Sequence, residues 1–226
     1  MSELYLVRHA QASFGEDDYD RLSSLGHQQS RWLGEYFKFR KIKFDQVICG
    51  DMVRHRETAE GIARGMGLKS NSVETHSQWN EFDFERLVEA YLSTRPDEVP
   101  HDEAPHHEWF QILRKALLAW SDDRVEGELK ESWTDFEQRV DDAVSVATSR
   151  SDRNSKVLVI SSGGPISMAI RQILQAPPGT MIRMNLQTRN SSFSHLFFNE
   201  RSIELSGFNH VPHLDHPDRS AAVTYY

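Results

Sequence analysis

Leu4-Tyr5-Leu6-Val7-Arg8-His9-Ala10-Gln11 is the stretch on which the fold turns. Four apolar residues in a row predict a strand buried on both faces. Arg8 and His9 stand at its carboxyl end, and in open α/β sheets that end is where ligands bind. A second junction of the same kind lies far along the chain. Lys156-Val157-Leu158-Val159-Ile160 is β-branched, apolar and uninterrupted, and it runs into Ser161-Ser162-Gly163-Gly164-Pro165. Ile166, Met168, Ala169, Ile170, Ile173 and Leu174 then predict a helix, with Pro165 suited to its first position.

Between these junctions strands and helices alternate. Residues 10–22 are polar and read as a loop. From Ser24 to Arg40, Leu25, Trp32, Leu33, Tyr36 and Phe37 recur at helical spacing. Asp45 to Cys49 reads as a short strand closed by Gly50. Arg54 to Gly65 reads as a helix carrying Thr58, Ala59, Ile62 and Ala63, stopped by Gly65 and Gly67. Trp109, Ile112, Leu113, Ala116, Leu117 and Trp120 mark a strongly amphipathic helix. Thr134-x-x-Glu137 predicts a capping box opening a helix with Phe136, Val140, Ala143, Val144 and Ala147. Residues 192–198 and 202–208 read as two final strands, with loop from Asn209 onward. This alternation predicts a three-layer α/β/α sandwich around a mostly parallel sheet. Residues 83–131 carry 13 acids and 6 bases, almost the whole net charge of −8. They read as an acidic helical insertion laid beside the α/β core, within a single domain spanning residues 1–226.

Composition excludes several classes. The chain has 226 residues, ample for a sizeable core. Its 34 acids against 26 bases argue against a nucleic-acid partner. A single cysteine, Cys49, rules out an internal disulfide and a cysteine-based zinc cage. No apolar run approaches the roughly 18 residues of a membrane helix, so no membrane partner is expected. The N-terminus has no basic region and too short an apolar run for a signal peptide. The expectation is a cytoplasmic protein.

Two arginines, Arg8 and Arg54, a histidine and a glycine-lined helix start form a constellation suited to phosphate. Guanidinium forks bind phosphate oxygens in pairs, helix N-termini attract anions, and a neutral imidazole is a capable nucleophile. Each signal alone is as readily structural. Together the residues resemble the histidine phosphatase superfamily, with its phosphoglycerate mutase-like fold. Leu6 to Gln11 resembles the family's apolar pair followed by Arg-His-Gly, with Ala10 for the glycine. Leu22 to Gln29 is similar to "L-T-x-x-G-x-x-Q". Gly50 to Ala59 is similar to "S-P-x-x-R-A-x-x-T-A". Trp79 to Phe84 resembles "L-x-E-x-x-x-G", Glu131 to Val140 resembles "E-S-x-x-x-F-x-x-R-V", and Phe208 to Leu214 resembles a tail of many phosphatase members.

The resemblance implies that His9 accepts the phosphoryl group as a phosphohistidine. Arg8 and Arg54 would hold its oxygens, and Glu81 would act as general acid and then base. No cofactor or metal is implied. Gln11, Ser13, Gly163, Gly164 and His213 are second-tier candidates for phosphate binding. Ala12, Ser13, Phe14 and Gly15 stand where family mutases carry other residues, which favours a hydrolase over a mutase. The expected partner is a small phosphorylated substrate or phosphorylated side chain, and the acidic block should disfavour bisphosphates.

One departure matters. The family's "V-x-H-G-G" places a second histidine where this chain has Ser162. Three readings follow: a working phosphatase that uses serine here, a catalytically weak protein that binds phosphate esters or phosphopeptides, and a hydrolase with Ser162 itself as nucleophile. The last lacks the first glycine of Gly-x-Ser-x-Gly. His213 is the histidine weighed as compensation, against the plainer reading that His210, His213 and His216 face solvent. Pro212 and Pro217 argue against a metal site there. His55, beside Arg54 on a helix, is expected to point elsewhere. His101, His106 and His107 are expected to face water. Trp109, Trp120, Trp133 and Phe136 are expected in the core, and Asn185, Asn190 and Ser191 as turn residues.

Overall fold

The computed structural model describes residues 1–13, 20–68, 72–101, 104–149 and 154–225. Phe14, Gly15 and the side chain of His106 lie outside the described residues. The first strand, β1, spans Ser2–Arg8. Its side chains alternate between two cores, which is why it reads as unbroken apolar sequence. Leu4 and Leu6 enter one core, Tyr5 and Val7 the other.

Strand β2 covers Gln46–Cys49, β3 Val73–Thr75, β4 Lys156–Ser161, β5 Phe193–Phe198 and β6 Ile203–His210. Their order in the single sheet is β3-β2-β4-β1-β5-β6. The first four are parallel, while β5 and β6 add an antiparallel edge. Leu4 pairs with Val157 and Arg8 with Ser161, so both predicted junctions finish at one edge of the sheet.

Helices α1 (Ser24–Phe39) and α2 (Val53–Met66) cover one face. Leu33, Phe37, Ala59 and Ile62 pack there against Tyr5, Val7, Val47, Leu158 and Ile160. Helices α3 (Phe84–Ser93), α4 (His106–Ser121), α5 (Trp133–Ser149), α6 (Gly163–Ile173) and α7 (Pro178–Asn185) cover the other. The expected three-layer sandwich is therefore present.

Four details differ from the expectations. The acidic block is helical but not beside the core: Leu87, Tyr91, Ile112, Leu117 and Trp120 share one core with Leu4 and Val159. Trp120, Trp133 and Phe136 are buried, whereas Trp109 is 41% exposed. The capping box of α5 is Ser132 with Asp135. Ser132 Oγ accepts the Asp135 N–H at 3.1 Å, and Asp135 accepts the Ser132 N–H at 3.0 Å. Glu137 instead accepts from Trp133 Nε1 at 2.9 Å and from Arg171. Pro165 is the third residue of α6, still within the turn whose N–H groups have no intrahelical partner.

Candidate active site

Residues from three parts of the chain, Arg8 and His9, Arg54, and Glu81, meet in a cleft of about 570 Å³. Arg8 ends β1 and donates to the Thr188 carbonyl. His9 follows it, and its backbone N–H donates to Ser161 O at 2.8 Å, tying it to β4. Arg54 is the second residue of α2. Its Nη1 donates to Asp20 Oδ1 at 2.7 Å, while Asp20 Oδ2 accepts the Val53 N–H at 2.8 Å. Asp20 thus fixes both the arginine and the helix start that carries it.

The motif residues around these groups have local reasons. Thr58 Oγ1 accepts the Ala10 N–H at 3.1 Å and donates to Arg54 O at 2.7 Å, joining the histidine loop to α2. Gln29 Oε1 accepts the Gln11 N–H at 2.8 Å, and its amide donates to Ala222 O at 2.8 Å. A Cβ at Gly26 would lie 2.1 Å from the Gln11 carbonyl oxygen, so only glycine fits there. Arg139 donates to the Gln78 and Asn80 carbonyls at 2.8 and 2.9 Å and pairs with Glu131 at 2.6 Å. That clamp holds the segment bearing Glu81.

His9 Nδ1 lies 2.8 Å from the Ala10 carbonyl oxygen. A carbonyl only accepts, so Nδ1 carries the proton and Nε2 keeps the lone pair. Burial, then the charges of Arg54 and Arg8, hold this imidazole well below its ordinary pKa. It is therefore neutral at neutral pH. Burial pushes the Glu81 carboxyl above its usual value, against the pull of the Gly164 N–H and both arginines. Glu81 Oε2 accepts that N–H at 3.1 Å and Oε1 accepts the Phe82 N–H at 3.2 Å. A lowered imidazole pKa and a raised carboxyl pKa in one cleft are the directions a nucleophile and a general acid require.

The second-tier candidates are placed differently. Gly163 and Gly164 open α6, and a Cβ on Gly164 would lie 2.0 Å from Glu81 Oε1. The helix start thus receives the carboxyl of Glu81. Gln11 Oε1 accepts from Ser23 at 2.8 Å and the Ser13 N–H donates to Arg21 O at 2.8 Å; neither residue lines the cleft. His213 is not a pocket residue either. It is buried, and its Nε2 meets Ser191 Oγ at 2.8 Å. Ser191, at a left-handed φ of 55°, donates its N–H to the His9 carbonyl at 3.1 Å. Asn190 Nδ2 reaches the same carbonyl at 3.4 Å. Asn190 and Ser191 therefore brace His9 as well as turning the chain. Burial, then the Arg219 charge, lower the His213 pKa to about 3.

Ser162 is fully buried and does not line the cleft. Its Oγ lies 2.8 Å from Nε2 of His55, which is also fully buried. The expectation that His55 points away is thus overturned: at the start of α2 it turns inward, its ring centroid 5.7 Å from that of His9. Sequence reasoning also missed Asp20, whose only signal was an acid in the first loop. It missed the cleft wall, where Phe84, Glu85, Val88 and Glu89 of α3 face Trp109, Phe110 and Leu113 of α4. Asn185, Leu186 and Tyr225 complete that wall. A second groove, of about 1100 Å³ near β6 and the tail, holds His195, His210 and His216 but none of the four groups above.

Two arginines, an imidazole of lowered pKa and a carboxyl of raised pKa meet at the carboxyl ends of the parallel strands of an α/β sandwich, a combination suited to an anion such as phosphate. The histidine phosphatase superfamily (branch 1) matches residues 4–211, and the chain belongs to that family. No functionally curated protein matches it. Among solved structures, Bacillus stearothermophilus YhfR superposes with a TM-score of 0.68 at 16% identity, covering 94% of this chain and 99% of that one. Phosphoglycerate mutase from Bacillus anthracis str. Sterne gives 0.66 at 18% identity, over 94% of each chain. Phosphoserine phosphatase from Entamoeba histolytica, in complex with 3-phosphoglyceric acid, gives 0.65 at 19% identity, over 95% of this chain and 100% of that one. These likenesses are of fold. Among the described residues no helix is long and apolar enough to cross a membrane, and no cluster of three metal-ligating side chains occurs.

Proposed function

We propose that the protein is a phosphomonoesterase working through a phosphohistidine on His9. One observation carries this reading: Arg8 and His9, Arg54, and Glu81, from three separate stretches of sequence, line a single cleft. His9 Nε2 attacks phosphorus, forming the N–P bond as the P–O bond to the leaving group breaks. Arg8 and Arg54 hold the phosphoryl oxygens, where charge gathers in the transition state. Glu81 gives its proton to the leaving oxygen. It then takes a proton from water as that water attacks the phosphohistidine, and the N–P bond breaks to release phosphate and restore His9.

The wall of the cleft supports a substrate class. Phe82, Phe84, Val88, Trp109, Phe110, Leu113 and Leu186 make it largely apolar, with Glu85 and Glu89 among them. Such a wall suits a monophosphate with an apolar or aromatic body. The two acids oppose a second phosphate. A phosphorylated side chain remains within this class.

Hydrolysis of p-nitrophenyl phosphate from mildly acidic to neutral pH, comparing the parent with His9→Ala, tests the reading. Turnover that vanishes in His9→Ala supports it. Ser162 favours a second reading, a phosphate-ester binding protein with little turnover. A silent parent that binds inorganic phosphate through Arg8 and Arg54 would establish that one instead.

A further inference from the structure

His55 is a buried imidazole that the proposed reaction does not use. Its Nε2 is 2.8 Å from Ser162 Oγ, and its ring lies 5.7 Å from that of His9. Its Nδ1 has no hydrogen-bond partner among the described residues. A buried ring nitrogen left without a partner is costly, so the fold gains nothing obvious by enclosing it. Room for the ring comes from Gly50. A Cβ there would sit 2.2 Å from His55 Nδ1 and 2.8 Å from Cε1, closer than atoms can approach. Three of the positions that depart from the resembled motifs meet here: glycine for serine at 50, histidine for alanine at 55, and serine for histidine at 162. The first makes space, the second fills it with an imidazole, and the third supplies the hydroxyl that holds it.

We propose that His55 is a positioning residue that takes the place of the missing second histidine: anchored by Ser162 and admitted by Gly50, it holds the His9 ring in the orientation for attack. The imidazole here comes from the start of α2 rather than the end of β4, and its ring lies beside that of His9. The inference rests on the phosphatase reading. It extends that reading by treating Ser162 as one half of an exchanged pair.

The experiment is a transplant. His55→Ala, His55→Phe, Ser162→His and the double variant His55→Ala/Ser162→His are compared with the parent by kcat and KM for p-nitrophenyl phosphate. Affinity for orthovanadate is measured alongside. His55→Phe keeps the ring's volume and discards its nitrogens, so it separates hydrogen bonding from packing. Both single His55 variants are expected to lose about 10²-fold in kcat with KM little changed, the scale of one lost preorganised contact. Ser162→His alone puts two rings where one fits and is expected to fall below the parent. The double variant is expected to recover at least about tenfold over His55→Ala, as restoring one such contact should.

A His55→Phe variant with parental kcat would reduce His55 to packing and overturn the proposal. So would a double variant no better than the worse single one, or a Ser162→His variant that outperforms the parent. Parent turnover that survives His9→Ala, or a silent parent, would remove the phosphatase reading by itself. Vanadate then decides the matter separately. Weakening of about tenfold or more in both His55 variants, with recovery in the double, sustains the positioning role. Unchanged vanadate affinity overturns it.

Discussion

The floor and the wall of the cleft are built on opposite terms. On the floor, the polar groups are tied to backbone, some of it adjacent and some from far along the chain. Arg8 donates to Thr188, His9 to Ala10, and Glu81 accepts from Gly164 and Phe82. On the wall, Phe84, Val88, Trp109, Phe110 and Leu113 project from α3 and α4. Those helices belong to the segment with nearly all the net charge. A floor so constrained holds chemistry in one geometry, whereas a wall of side chains on helices alters by substitution without moving the reacting groups. On the proposed mechanism, chemistry belongs to the floor and selectivity to the wall.

The strongest way to break this comparison is at the nucleophile. His9→Ala should remove more than about 10³-fold of kcat for an aryl phosphate, measured at saturating substrate. Activity retained there would mean the floor does not hold the chemistry. Next is the ring that joins the two regions. Phe136 is fully buried, stacks on Trp120 at 5.6 Å, meets Phe82 at 5.5 Å and lies under Arg139 at 5.0 Å. Phe136→Ala should cost about 3–5 kcal/mol in denaturant unfolding. A loss below about 1 kcal/mol would show that floor and wall are not coupled through it.

The carboxyl sharpens the picture. The pKa of Glu81 is raised and that of His9 is lowered, which widens the pH range over which the acid holds its proton while the base is neutral. The kcat of the parent should fall as pH rises through the raised Glu81 value. Glu81→Gln should lose about 10²-fold and flatten that alkaline limb. An alkaline limb that persists in the variant would assign it to another group.

Stability has its own pH dependence. His9, His55 and His213 are buried, and each has a lowered pKa. Below the ordinary histidine value of 6.5 the unfolded chain binds protons that the folded one refuses. Folding free energy should therefore drop as pH falls from neutrality, by about 1.4 kcal/mol per pH unit for each such histidine. His213→Gln should remove one such contribution from the slope of unfolding free energy against pH; an unchanged slope would show that His213 binds its proton equally in both states. The smallest effect belongs to the wall. Trp109→Ala should raise KM for an aryl phosphate by about three- to tenfold and leave kcat nearly unchanged, the cost of losing part of an apolar contact. A kcat that falls in step with the floor variants would erase the division between the regions.

Much of this molecule is legible in its residues. Leu4 to His9 and Lys156 to Ser162 identify the two central strands and their functional ends, because an apolar run buried on both faces has few other uses. Helices α1, α2, α4 and α5 follow from their 3.6-residue periodicity. The short strand β3 and helices α3 and α7 do not stand out, since so few apolar residues leave little period to read. Arg8, His9 and Arg54 are legible from their places at strand and helix ends, and Glu81 only through the resemblance of Trp79 to Phe84 to a family motif. His213 and His55 show the limit. One neighbours a tail motif and the other an arginine; in the fold His213 reaches His9 only through Ser191, whereas the ring of His55 lies beside that of His9.

The sequence by itself determined the strand–helix alternation, the strand ends that carry Arg8, His9 and Ser162, and the order of the motifs. Those properties are local, set by periodicity and turn residues. Only the tertiary structure decided that His55 turns inward to Ser162, that His213 braces Ser191, that Asp20 holds Arg54, and that Trp109 faces the cleft. Each depends on a contact between residues distant in the chain, or on which side of a packed helix meets its neighbour. Gly50 makes the reason plain. A glycine after a strand is an ordinary end of a strand in sequence, and only the imidazole occupying its missing Cβ shows what the space is for.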